Sequence, residues 1–251
     1  MKRLFLLLAT LACTAATLTA QSGTSVQYKS GDESVSGLLF TPHSQPVAGK
    51  LPAIVVIHEW WGLNDWVKEQ AQKFADQGYV TLAIDLYRGK VASNPDEAHQ
   101  LMRGVPDDRA DRDLKAATAY IRGRKDVDPK RVGSIGWCMG GGYSEKLTEL
   151  DPQLKAAVIN YGKVPADAAT LKPVHAAVLG LFGGQDQGIP PDSVRAWEAK
   201  MKQLGKTAQV IIYPDAGHAF ENPNNKTGYN EKDAQDAYTH QTEFFAKYLK
   251  Q

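Results

Sequence analysis

Gly133-Ser134-Ile135-Gly136-Trp137-Cys138-Met139-Gly140-Gly141-Gly142 reads as an apolar strand that breaks into a glycine-lined turn with one cysteine at its tip. A strand, a sharp turn and then a helix is how a chain holds a nucleophile at a tight bend. The glycines two before and two after the cysteine let strand and helix approach, because neither carries a Cβ. A G-x-C-x-G stretch alone also fits an inert, buried cysteine beside a helix start. The rest of the chain has to separate a reactive cysteine from an inert one.

The 251 residues are 43% hydrophobic and 23% charged, the composition of an ordinary globular protein. Lys2 and Arg3, an apolar run from Leu4 to Ala12 and the small residues up to Ala20 fit a secretory signal. Cleavage is expected after Ala20, leaving residues 21–251 as a single domain that is periplasmic or extracellular. The apolar run is too short for a stable membrane anchor. Cys13 leaves open a lipoprotein reading, although Thr10-Leu11-Ala12 lacks the leucine expected three residues before it. Cleavage removes Lys2 and Arg3 and leaves 27 basic against 28 acidic residues, a formal charge of −1. That balance argues against a nucleic-acid partner. Cleavage also leaves Cys138 as the only cysteine, with no disulfide partner in its own chain. It is therefore either buried and inert or kept for its reactivity.

Taken in order, VQYKS and SVSGLLF, joined at Gly31-Asp32, predict a hairpin over Val26 to Phe40. Ala53 to His58 is continuously apolar and β-branched, as in a strand covered on both faces. A helix capped by Asn64 or Asp65 follows and ends at Gly78, then a strand from Tyr79 to Ile84. Helices are predicted over Asp96–Gly104 and Asp107–Arg124, the elbow strand over Arg131–Gly136, and its helix to about Leu150. Strands Ala156–Asn160, Ala176–Phe182 and Gln209–Tyr213 and helices Asp192–Leu204 and Glu231–Tyr248 complete the pattern. This alternation specifies an α/β protein with a mostly parallel sheet, helices on both faces and no large cap domain. In such sheets the working residues belong at the carboxyl ends of strands.

Three strand ends carry titratable groups in a telling order: Cys138, Asp186 in Gly183-Gly184-Gln185-Asp186, and His218 in Asp215-Ala216-Gly217-His218. Nucleophile, acid, histidine is the order of the α/β-hydrolase fold. A thiol is mostly protonated at neutral pH, so it needs a base or a positive potential. His218 supplies the base and the helix N-terminus after Met139 the potential. A carboxylate on the far ring nitrogen fixes the imidazole tautomer, the role assigned to Asp186. Asp192 and Asp215 compete for it, Asp192 being better explained as a helix cap.

Beyond the fold, the chain from about Val26 to its end resembles the dienelactone hydrolase family. The pieces that carry the likeness are His58-Glu59-Trp60-Trp61-Gly62, Asp85-Leu86-Tyr87, Gly136-Trp137-Cys138-Met139-Gly140-Gly141, Gly183-Gly184-Gln185-Asp186 and Ala216-Gly217-His218-Ala219-Phe220. The resemblance implies hydrolysis of a small ester or lactone through a cysteinyl thioester. Cys138 is then the nucleophile, His218 base and later acid, and Asp186 its orienting partner. Glu59 is implied to touch the resting thiol and to help activate it. The oxyanion falls to the backbone N–H groups of Met139 and Trp60. Trp60, Trp61, Tyr87 and Tyr161 are expected to line an apolar pocket. No metal and no organic cofactor is expected, since no metal-ligand spacing, dinucleotide fingerprint or phosphate loop is present in the sequence.

The sequence departs from the family where two arginines grip the substrate carboxylate. The matching positions hold Pro95 and Asn222, with Arg88 and Arg103 as possible substitutes. The expected substrate is therefore not dienelactone itself, because its carboxylate would lose a charge-assisted pair. Two rival readings are a ligand-binding protein that has lost turnover and a thiol redox protein. The first calls for a broken triad, and the second for a resolving cysteine. The chain is expected to act as a monomer on a small-molecule ester or lactone, with no membrane partner once the leader is removed.

Overall fold

The computed structural model describes residues 23–43 and 49–251, so the leader expected over residues 1–20, with Cys13, lies outside the described residues. The elements in order are β1 (Thr24–Ser30), β2 (Glu33–Phe40), β3 (Leu51–Ile57), α1 (Asp65–Asp76), β4 (Val80–Ile84), α2 (Pro95–Arg103), α3 (Asp107–Arg122) and β5 (Val127–Trp137). Then come α4 (Met139–Leu150), β6 (Ala156–Asn160), α5 (Ala168–Leu171), β7 (Ala177–Gly183), α6 (Pro191–Gln203), β8 (Ala208–Tyr213) and α7 (Glu231–Leu249).

The strands form one eight-stranded sheet in the order β1-β2-β4-β3-β5-β6-β7-β8. The hairpin β1–β2 is antiparallel, as is the pairing of β2 with β4, and every pairing from β4 to β8 is parallel. All seven residues of β3 are buried, as its unbroken apolar run predicts. Alternate residues of β3 face opposite sides. Val55 and Ile57 join a core with Leu114 of α3, Leu147 of α4 and Trp197 of α6. Ile54 and Val56 join another with Trp66 and Phe74 of α1 and Phe244 and Phe245 of α7. The period of two along a strand thus divides the helices into two layers. Between β4 and β5 the chain holds only α2 and α3.

Two features differ from the sequence expectation. β5 starts at Val127, four residues early, because Val127 pairs with Leu51 before the register shifts to Ala53 with Val132. The polar Asp128-Pro129-Lys130 at that irregularity hides the strand from a periodicity argument. α5 is a single turn capped by Asp167, with Leu171 its one buried residue, too short for a periodic signal.

Candidate active site

β5 ends at Trp137 and α4 begins at Met139, so Cys138 alone makes the turn, with φ 54° and ψ −118°. The approach is close enough that a Cβ on Gly136 would strike the backbone of Gly140, and one on Gly140 the carbonyls of Ile57 and His58. The last residue of β6 clamps the bend from two sides. Asn160 O accepts from Cys138 N at 3.0 Å, and Asn160 Nδ2 donates to Gly136 O at 3.0 Å. Of the four non-glycine residues with positive φ among the described residues, three, Cys138, Tyr161 and Ala219, lie at strand ends or loops around this bend. Strain of that kind persists only where surrounding contacts impose it.

His218, in the segment after β8, places Nδ1 2.7 Å from Asp186 Oδ2. With Nδ1 held by Asp186, Nε2 is the ring nitrogen left for the Cys138 thiol, and both residues line one cleft. Burial disfavours the imidazolium, but Asp186 and the Cys138 sulfur outweigh it and push His218 up to about 10. Asp186 follows β7, and its Oδ1 accepts from Gly188 N at 2.8 Å and Ile189 N at 3.0 Å. Burial opposes its ionisation, yet His218 and these N–H groups hold its carboxyl below the usual range. The competing acids stay outside: Asp215 is exposed, and Asp192 is exposed in the first turn of α6, whose cap is Pro190 rather than Asp192.

Glu59 follows β3 and is 1% exposed. Asn222 Nδ2 donates to its Oε2 at 2.6 Å, and the Tyr161 hydroxyl lies 3.5 Å from its Oε1. Its two oxygens thus go to Asn222 and Tyr161, where the resemblance implied the thiol. Burial pushes Glu59 up to about 7 against the opposing pull of Asn222, His218 and Tyr161. Its neighbour His58 has a defined tautomer. Leu86 N donates to His58 Nε2 at 3.2 Å, so Nδ1 carries the proton and donates to Glu59 O at 2.6 Å.

Met139 is the first residue of α4, so its N–H has no acceptor within the helix. Trp60 N makes no hydrogen bond among the described residues. Tyr87, expected to line the pocket, lies beneath it, 4% exposed. Its hydroxyl donates to Trp60 O at 3.0 Å and sits 3.3 Å from Met139 Sδ, so one phenol touches both residues with the free N–H groups. The cause is the local path of the chain: Asp85 Oδ1 accepts from Tyr87 N at 2.9 Å and turns the ring inward.

A cleft of about 1790 Å³ opens over Cys138 and His218, with Trp60, Trp61, Met139, Tyr143, Tyr161 and Ile189 among its walls. Trp60 packs edge-on against Trp61 at 4.9 Å and His99 at 4.8 Å. Of the candidate cations, Arg88 is committed to Asp113 at 2.7 Å and Glu33 at 2.9 Å, away from the cleft. Arg103 lines the cleft and has no ion pair among the described residues. Pro95 is exposed at the start of α2. Nothing in the sequence marks Asn222 as the partner of Glu59, since position 222 shows there only the lack of a charge. Among the described residues no three His, Cys, Asp or Glu side chains are grouped to hold a metal ion, and no helix is long and apolar enough to cross a membrane.

The chain resembles known proteins over most of its length. A model of the dienelactone hydrolase family matches residues 35–249. A Salmonella typhimurium protein named carboxymethylenebutenolidase is 34% identical over 214 residues, 80% of this chain and 78% of that one. An Aquifex aeolicus protein of the same name is 30% identical over 235 residues, covering 91% of this chain and 100% of that one. The crystal structure of a Klebsiella pneumoniae protein described as a dienelactone hydrolase superposes with a TM-score of 0.80 at 28% identity, covering 90% of this chain and 98% of that one. These neighbours share the α/β-hydrolase fold.

Proposed function

The chain belongs to the dienelactone hydrolase family of ester and lactone hydrolases, and from that premise we propose that it cleaves a neutral ester or lactone through a Cys138-His218-Asp186 triad. The observation that carries this reading is His218, which holds Asp186 Oδ2 at 2.7 Å through Nδ1 and lines the same cleft as Cys138. His218 Nε2 holds the proton drawn from the thiol while Sγ attacks the carbonyl carbon, and the N–H groups of Met139 and Trp60 hold the oxyanion. The intermediate collapses to a thioester as the alkoxide leaves with the proton from His218. Water then attacks the thioester, His218 accepts its proton, and the acid departs as the thiol is restored. Asp186 stays ionised and keeps the ring in place. Glu59, buried and raised, is the group that helps remove the thiol proton once substrate rearranges its bonds to Asn222 and Tyr161.

The neutral substrate follows from what faces the cleft. Position 222 is an amide turned onto Glu59, Pro95 carries no charge, and Arg88 is spent on Asp113 and Glu33. A carboxylate directed toward position 222 would meet the buried Glu59, which leaves Arg103 as the one guanidinium on the cleft wall among the described residues. Assay of the protein on nitrophenyl esters, neutral lactones and a carboxylate-bearing lactone, beside Cys138→Ala and His218→Ala, tests both claims. Turnover that survives in the two variants sinks the triad. A preference for the charged lactone sinks the neutral-substrate reading.

We further propose that residues 21–251 form one exported, monomeric domain freed from its leader after Ala20. An intact mass from the native host that still includes residues 1–20, or a dimer by light scattering, would count against it.

A further inference from the structure

One buried carboxyl has no part in the chemistry above. Glu221 lies three residues after His218, is 8% exposed, and its Oε2 accepts from Trp137 Nε1 at 3.1 Å and from Gln241 Nε2 at 2.7 Å. We propose that Glu221 is a positioning residue of this site, a buried carboxyl that ties the turn carrying Cys138 to the loop carrying His218 and shares one negative charge with Glu59. The proposal rests on the reading of Cys138 as nucleophile.

The tie runs through named contacts. Trp137 is the residue before Cys138. Gln241 of α7 donates also to Asn160 Oδ1 at 3.0 Å, and Asn160 grips the turn at Gly136 O and Cys138 N. The next residue, Asn222, bonds Glu59. Five consecutive residues, His218 to Asn222, thus reach Asp186, Trp137 and Glu59.

A mere spacer at position 221 would be an amide or an apolar side chain. Glu221 Oε1 is instead buried with no hydrogen-bond partner, and no lysine or arginine pairs with Glu221 among the described residues. An unpaired carboxylate oxygen in a dry site is costly. The titratable groups facing it are Glu59 after β3, Tyr161 after β6 and Tyr213 of β8, while α7 contributes the neutral Gln241. All three carry negative charge when ionised, and two buried carboxylates that act on one another resist ionising together. Burial, with Glu59 adding to it against Trp137 and Gln241, pushes Glu221 up to about 8.

Glu221→Gln keeps an oxygen for Trp137 and Gln241 and removes the charge. The readout is the pH dependence of Cys138 alkylation by iodoacetamide in the full chain, which needs the thiol but no ester turnover, beside the pH profile of kcat/KM on a nitrophenyl ester. In E221Q the alkylation inflection moves to lower pH by about half a unit or more and the change in kcat/KM that accompanies ionisation of the wild-type carboxyl at about 8 is lost, while the melting temperature changes by only a few degrees. An unchanged inflection and an unchanged kcat/KM profile in a folded E221Q overturn the proposal and leave Glu221 a packing residue. An inflection that moves in a protein that hydrolyses no ester sinks the functional reading and leaves the electrostatic tie standing. If E221Q does not fold, carbon-13 carboxyl titration of the wild-type glutamates decides. Mutually biphasic curves for Glu59 and Glu221 support the shared charge, and two independent single-step curves overturn it.

Discussion

Asn222 Nδ2 lies 2.6 Å from Glu59 Oε2 and donates a hydrogen bond to it, at the position where the family likeness placed a substrate-gripping arginine. The amide is itself fixed, since its Oδ1 accepts from Asn224 N at 2.9 Å. Position 222 therefore faces inward to a buried acid and serves the enzyme's own charge.

Asn222→Ala leaves Glu59 with only the 3.5 Å contact to Tyr161. The neutral carboxyl tolerates that loss better than the carboxylate does. The substitution is expected to cost about 1–3 kcal/mol at pH 8 and clearly less at pH 5, since the penalty for an unmade buried bond grows with charge. Urea unfolding at the two pH values measures it. An equal cost at both would mean that the amide does not hold a charge.

Buried carboxyls with raised values set the sign of the stability profile. Glutamates in the unfolded chain release their protons near 4.5, whereas Glu59, Glu221 and Glu145 in the folded chain hold theirs to about 7, 8 and 9. Between those limits the folded state binds more protons, so stability falls as pH rises. His218 works in the same direction, its contribution complete below 6.5 and lost as pH climbs through about 10. Asp186 acts oppositely, but only as pH falls below the ordinary carboxylate range. The melting temperature should therefore peak near pH 5 and drop by on the order of 10 °C toward pH 9. A profile that rises from pH 5 to pH 8 would contradict it.

Most of the sheet was legible because its signals are local. Ala53 to Ile57 reads as a covered strand from five apolar residues, and Cys138, Asp186 and His218 fall at strand ends in an order that one fold accounts for. What stayed hidden depends on direction rather than position. Tyr87 and Tyr161 look alike in sequence, yet the Tyr87 ring turns under Trp60 and Met139 while Tyr161 faces the cleft. Glu221 gave no signal, since its partners Trp137 and Gln241 are 84 and 20 residues away.

Tyr87→Phe separates support of the oxyanion donors from substrate contact. The change removes the bond to Trp60 O and leaves the ring in its buried place. Stability should fall by about 1 kcal/mol, the net worth of one such bond. If Trp60 and Met139 supply the oxyanion hole, kcat falls about tenfold or more with KM nearly unchanged, because only the transition state uses those donors. A change in KM alone would return Tyr87 to the role of a pocket wall.

The bend at Cys138 carries a cost of its own. With φ 54° and ψ −118°, a residue with a Cβ is held where such residues are strained by about 1–3 kcal/mol. Cys138→Ala keeps that strain and removes the thiol, whereas Cys138→Gly removes both. Glycine loses about 0.5–1 kcal/mol to the greater freedom of its unfolded chain. The glycine variant should nonetheless be the more stable of the two, by about 1 kcal/mol, with both inactive. Denaturant unfolding of the pair compares them with the side-chain chemistry nearly cancelled. If the alanine variant proves as stable as the glycine variant, the turn is relaxed, and the exposure of the thiol at its tip comes from glycine-permitted packing of β5 against α4 rather than from stored strain.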